Sequence, residues 1–355
     1  MSDPADLVLW RDLRGLFPRD AIAPQAPLLL PETLFRTRSP APAPRSTLPA
    51  RSTSRSVSPQ ASRTGHRRTD ETLRRGAIID KYRIDRLLGR GGFAAVYRAT
   101  HLLLKSQVAI KLLRPSALAR HPQLAQLLCD EARFAARIDH PNVVRVYDVT
   151  HTPGITYIVM EYIDGGSLGE AIKRAGQLSP ARVLEVGAGV VAGLKTALAA
   201  GLIHRDIKPA NVLLGRKGEI KIVDLGLVRR TDADEPPEAP APDGRRATIG
   251  TYGYMSPEQA EDPERIDFRA DIYSLGVTLY EAAVGAPPFP LGDPAACLEL
   301  HAYHPVPPPH ERSPGIPSAL SALLLRMLAK VPEDRFSSYD ALTEAIKRVA
   351  ASIGR

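Results

Sequence analysis

A polar stretch between two apolar runs, His204-Arg205-Asp206-Ile207-Lys208-Pro209-Ala210-Asn211, sets a carboxylate, an amine and an amide at fixed offsets. Ionised Asp206 can accept a proton, Lys208 brings a mobile point charge suited to a phosphate, and Asn211 offers an amide oxygen to a hard metal ion. Thirteen residues past Asn211, after the apolar run Ile220 to Val223, Asp224-Leu225-Gly226 adds a carboxylate. Far upstream, Gly89-Arg90-Gly91-Gly92 lies between two strand-like patterns. Glycines there allow backbone amides to approach a phosphate closely, although a lone glycine-rich turn signals no more than a hairpin. Val108-Ala109-Ile110-Lys111 then closes a β-patterned run on a cation.

In order and interval these segments resemble the catalytic loop, metal loop, glycine-rich loop and lysine strand of eukaryotic-type protein kinases, closest in flavour to the bacterial Ser/Thr kinases. His140-Pro141-Asn142-Val143-Val144, Tyr254-Met255-Ser256-Pro257-Glu258 and Pro332-Glu333-Asp334-Arg335-Phe336 add further landmarks, so the resemblance runs from Tyr82 to Ile346. It implies an α+β, two-lobed kinase fold: an N-lobe of antiparallel sheet plus one helix, then a mainly helical C-lobe. The divisions expected are an N-terminal extension over 1–75, the N-lobe and hinge over 76–163, and the C-lobe over 164–350.

The resemblance also implies a Ser/Thr protein kinase that moves the γ-phosphate of ATP to protein hydroxyls with Mg²⁺, or Mn²⁺ in its place. Asp206 would accept the hydroxyl proton, Lys208 would face the γ-phosphate, and Lys111 would be held by Glu131, with Asn211 and Asp224 as the metal ligands. Gly89, Arg90, Gly91 and Gly92 would cover the phosphates. Adenine would lie between Leu88, Val96 and Ala109 above and Leu213 below, with Met160 as gatekeeper and the backbones of Glu161 and Ile163 at its edge. Glu131 rather than its neighbour Asp130 is assigned to Lys111 by motif alignment alone. Glu258 is expected to pair with Arg335.

Three positions depart from the family pattern: Ala94 stands at the third glycine, Leu225 replaces phenylalanine in the metal loop, and Ser256 precedes Pro257-Glu258. The first should change loop flexibility while leaving binding intact. Arg205 before the catalytic aspartate marks kinases whose activation segment is ordered by a phosphate, and Thr248 is the residue expected to carry it. Thr251 is expected to hydrogen-bond Asp206 and Lys208. The rival reading is a pseudokinase or scaffold that binds partners through its tail; Lys111, Asp206, Asn211 and Asp224, all present, argue against it.

The elements that position these residues follow from patterning. Two strands flank the glycine turn from Tyr82 onward, where the folded part begins. Leu124, Leu127, Leu128, Ala132, Ala135 and Ile138 fall at helical spacing, so Pro122 to Ile138 reads as a helix with Glu131 in its middle. Thr156 to Ile163 reads as a buried strand entering the hinge. Ser179-Pro180 is a cap and first-turn pair, and the helix it opens is interrupted by Gly187, Gly189 and Gly193, which mark close contacts.

The net charge of +8 is carried by one segment: residues 36–75 hold ten Arg, no Lys and two acids. The basic balance therefore gives no evidence of a nucleic-acid groove on the folded body, and no nucleic-acid partner is expected. That segment is Arg-, Ser-, Thr- and Pro-rich with almost no large apolar side chains, so disorder is expected. Before it, Leu9, Leu13 and Leu16 share one helical face, with Trp10 nearby, which suits a docking segment for a partner or for the kinase body. Two cysteines, Cys129 and Cys297, do not make a disulfide framework. No run reaches the roughly 18 apolar residues of a membrane span. No secretory signal opens the chain, so a cytoplasmic protein without a transmembrane anchor is expected.

Overall fold

The computed structural model describes residues 72–152, 154–224, 252–261 and 266–354, and the backbone of 229–230. The docking helix and the disorder expected of the N-terminal extension fall, up to residue 71, outside the described residues, as do Leu225, Thr248 and Thr251.

Six antiparallel strands make the N-lobe: β1 (Ile78–Ile79), β2 (Tyr82–Arg90), β3 (Ala94–His101), β4 (Gln107–Leu113), β5 (Val146–Thr152) and β6 (Ile155–Glu161), in the order β1-β2-β3-β4-β6-β5. Strand alternation sorts their side chains onto two faces. Ala95, Tyr97, Val108, Ile110, Tyr157 and Val159 form the outer cluster, while Val96, Ala109, Lys111 and Met160 point the other way, toward the site. The outer face is covered by the incoming chain. Leu73 and Ala77 pack on it, the Leu73 amide donates to Tyr97 Oη at 3.0 Å, and the Tyr157 hydroxyl donates to Asp80. Packing therefore starts ahead of Tyr82, where patterning placed it.

Two helices accompany the sheet. The short α1 (Pro115–Arg120) begins on a proline, and α2 (Leu124–Ala135) is shorter at both ends than its apolar periodicity. Gln123 at its N-cap adopts helical backbone and makes no side-chain cap, so nothing in the sequence fixes that end. Leu128, Ala132 and Ala135 are buried, and Leu127 stays exposed.

The C-lobe is mainly helical: α3 (Leu168–Ala175), α4 (Pro180–Ala199), α5 (Pro257–Glu261), α6 (Arg269–Val284), α7 (Pro294–Tyr303), α8 (Pro309–Arg312), α9 (Ser318–Met327) and α10 (Tyr339–Ile353). Between α4 and α5 come β7 (Leu202–Ile203), the hairpin β8 (Val212–Leu214) and β9 (Ile220–Ile222), and β10 (Arg229–Arg230), which pairs with β7. Ser179 caps α4, accepting from the Arg182 amide at 3.3 Å with Pro180 in the first turn. The α4 glycines are contact points. A Cβ on Gly189 would lie 2.9 Å from Ile220, and one on Gly193 would lie 2.9 Å from the Asn142 carbonyl. The helix is thus pressed against the hairpin that carries the polar residues. Among the described residues no helix is long and apolar enough to cross a membrane.

Candidate active site

Sheet register brings the upper half of the site together. Val96 pairs with Lys111 and Ala109 with Met160, so roof, cation and gatekeeper position sit on adjacent strands. Ala109, Met160 and Val144 form a buried apolar cluster, and Leu88, Val96, Ile163 and Leu213 pack against it. Residues expected around adenine thus come together as one apolar cluster. Glu161 turns its side chain to Lys221 at 2.9 Å and to the Arg145 amide at 3.2 Å, and its own amide donates to the Arg145 carbonyl at 2.9 Å. Gly89, Arg90, Gly91 and Gly92 are exposed along the end of β2 and the turn beyond it, closed by Gly91 N–H donating to the Ala94 carbonyl at 2.8 Å. Ala94 already belongs to β3, and its methyl packs toward α2.

Lys111 stands between two carboxylates, Glu131 at 2.7 Å and Asp224 at 3.0 Å. Asp130 points elsewhere, to Gln126 and Arg133 on the exposed side of α2, so the geometry gives the lysine to Glu131. Burial disfavours the Lys111 charge, but the fields of Asp224 and Glu131 outweigh it and hold the ammonium well above its ordinary range. Burial likewise opposes the Asp224 charge and is outweighed by Lys111, which keeps this carboxyl below the usual value. Around neutral pH the cation and its carboxylate are therefore both charged.

In the lower half, Lys208 donates to Asp206 at 2.7 and 2.9 Å, and Asn211 Nδ2 donates to the same carboxylate and to its backbone carbonyl, each at 2.9 Å. Asn211 thus spends its nitrogen and keeps Oδ1. Together with the Asp224 carboxylate this is an oxygen donor set, which fits a hard ion such as Mg²⁺.

Two supporting residues, Asp271 and His204, were given no role by the motif reading. Asp271, at the start of α6, accepts the amides of His204 at 2.8 Å and Arg205 at 2.7 Å while almost wholly buried. These bonds clamp the loop where Arg205 adopts φ +64, a left-handed conformation uncommon for a non-glycine residue. His204 reaches across to the Val223 carbonyl at 3.1 Å and so ties the stretch 204–211 to the neighbourhood of Asp224, which also sits at φ +64. A carboxylate inside the apolar run Asp271 to Val277 was the available signal, because a buried charge needs partners. Farther off, Arg335 is fully buried and holds Glu258 in a two-pronged pair at 2.6 and 2.8 Å.

The sequence model described as the protein kinase domain matches residues 82–346. The chain is 38% identical over 277 residues to the serine/threonine-protein kinase PknB of Mycobacterium tuberculosis, covering 77% of this chain and 43% of that protein. It is 33% identical over 288 residues to PknH of Mycobacterium bovis, covering 79% and 47%. The chain thus spans less than half the length of these curated relatives. Among solved structures it resembles the Mycobacterium tuberculosis PknI kinase domain, with a TM-score of 0.59, 27% identity, and coverage of 79% of this chain and 99% of that one.

Proposed function

The chain belongs to the protein kinase family, and from that premise we propose that it is a serine/threonine kinase that transfers the γ-phosphate of ATP to protein hydroxyls. The observation that carries this reading is the Lys111 ammonium shared by Glu131 and Asp224, facing the interlocked Asp206, Lys208 and Asn211. Phosphoryl transfer asks for alignment and charge more than for covalent chemistry, and these residues supply both.

Leu88, Val96, Ala109 and Leu213 would enclose adenine, with Met160 at the back of the slot and the backbones of Glu161 and Ile163 at its edge. Gly89, Arg90, Gly91 and Gly92 would cover the phosphates, and Lys111 would contact them with its position fixed by Glu131. Asp206, oriented by Asn211, accepts the proton of the attacking hydroxyl, and Lys208 balances charge at the γ-phosphate. Asn211 and Asp224 would hold Mg²⁺, or Mn²⁺ in its place, which when bound supplies positive charge against the phosphate oxygens. Arg205 and the proposed phosphate carrier Thr248 make up the regulatory part of this reading. A cytoplasmic location belongs to it as well, supported by the lack of a membrane-crossing helix among the described residues. A scaffold without chemistry would have no need of this charge arrangement.

The test is radiolabelled transfer from MgATP to a generic basic protein, followed by phosphoamino-acid analysis. Phosphoserine or phosphothreonine is expected, and Lys111→Met or Asp224→Ala should lower the rate by about 10²–10³. Full activity in either folded variant would refute the assignment.

A further inference from the structure

The glycine-rich turn ends on Phe93, a large side chain that is 40% exposed at the tip of a hairpin, where an aromatic has little to gain from water. Its ring meets the edge of His121, with centroids 6.1 Å apart and planes at 88°, the geometry favoured by the aromatic quadrupole. The Arg114 amide donates to the Phe93 carbonyl at 2.8 Å, which carries the β3–β4 ladder one step past Ala94 and Leu113 to the tip itself.

His121 is well placed to be an anchor. Its amide closes α1 by donating to Ala117 at 2.9 Å, and its carbonyl accepts from Leu124, the first residue of α2, at 3.1 Å. Its Nδ1 is buried with no hydrogen-bond partner among the described residues, so packing, not a hydrogen bond, sets the ring's orientation at that atom. The turn is therefore joined through one aromatic contact to the junction of α1 and α2, and α2 carries Glu131.

We propose that Phe93 and His121 form a latch that positions the glycine-rich turn over the nucleotide phosphates. The role rests on the kinase reading above and concerns positioning; neither ring needs to touch a reacting atom. An unlatched turn would sample open conformations, and nucleotide affinity would fall in proportion to the closed fraction. Chemistry on bound nucleotide would be left nearly intact.

The experiment compares the full chain with Phe93→Ala, His121→Ala, their double variant and His121→Phe, which keeps an aromatic edge. Affinity for a fluorescent ATP analogue is measured beside KM for ATP and kcat. Both alanine variants should weaken affinity and raise KM by about two- to tenfold, the range of one aromatic pair, with kcat nearly unchanged. The double variant should be no worse than either single one, and His121→Phe should recover most of the loss. Wild-type affinity in His121→Ala, additive losses, or an equal fall in kcat would overturn the latch. Failure of the kinase reading would show separately, as a wild-type chain that binds the analogue and transfers nothing.

Discussion

Asp271 and His301 are both almost wholly buried, and burial shifts the titration of each. Burial pushes the Asp271 carboxyl up while the amides of His204 and Arg205 stabilise its charge, so the backbone at 204–205 and this side chain depend on one another. His301 shares a hydrogen bond of 2.9 Å with the Tyr273 hydroxyl. Burial first, and then the nearby Lys330 ammonium, lower its pKa to about 4. Between that value and the ordinary one of about 6.5, the unfolded chain binds a proton that the folded chain refuses. Stability must therefore drop as pH falls through this window. Denaturant unfolding should show a loss of about 2 kcal/mol from pH 7.5 to 5 on this account, and His301→Leu should lack that share. A His301→Leu slope equal to that of wild type would show that other groups carry the acid sensitivity. At this scale the sequence was informative where motifs spoke. It singled out Lys111, Asp206, Asn211 and Asp224 by motif, and motif alignment chose Glu131 over Asp130, the carboxylate that Lys111 meets at 2.7 Å being that of Glu131. It was silent on Asp271 because no local pattern records which distant amides a buried carboxylate accepts.

At the scale of elements, α4 shows two opposing effects of one residue type. Gly193 costs helix propensity, and alanine there would regain about 1 kcal/mol. The added methyl would stand 2.9 Å from the backbone carbonyl of Asn142, which cannot turn aside, and 3.1 Å from Cδ1 of the fully buried Ile222. Overpacking of this kind costs roughly 1–3 kcal/mol, so Gly193→Ala should be destabilising on balance by about 1 kcal/mol, read from its unfolding midpoint. A more stable variant would mean that α4 can move off the hairpin. The incoming strap makes a second case. Starting the chain at Gly76 removes the contact of Leu73 with the outer sheet cluster and its bond to Tyr97. Against a chain starting at Thr72, a loss of about 1–2 kcal/mol is expected from one half-buried side chain and one hydrogen bond. Equal stability would place the boundary at Gly76 after all. Patterning found the strands, the Ser179 cap and the α4 glycines because periodicity and cap chemistry are local. It overran α2 at both ends, since apolar spacing continues into turns that no cap punctuates. It also passed over α1, whose six residues offer only a starting proline.

For the molecule as a whole, one ammonium joins its two halves, since Lys111 on β4 binds Glu131 on α2 and Asp224 beyond β9. The two-lobed plan was legible because its landmarks keep their order along the chain, whereas the meeting of residues 113 positions apart is a property of the closed fold. The net charge of +8 is carried by residues 36–75, of which 72–75 are among the described residues. The account turns on Asp206 as the group that takes the hydroxyl proton, and the most direct measurement is the rate of phosphate transfer by Asp206→Asn at saturating MgATP, taken beside nucleotide affinity. The substitution keeps size and removes the carboxylate charge, and with it the ability to accept that proton and one of the oxygens that Lys208 and Asn211 now share. The rate should fall by about 10²–10⁴ while nucleotide affinity holds. A variant that turns over within about tenfold of wild type, below what general-base catalysis supplies, would contradict the account.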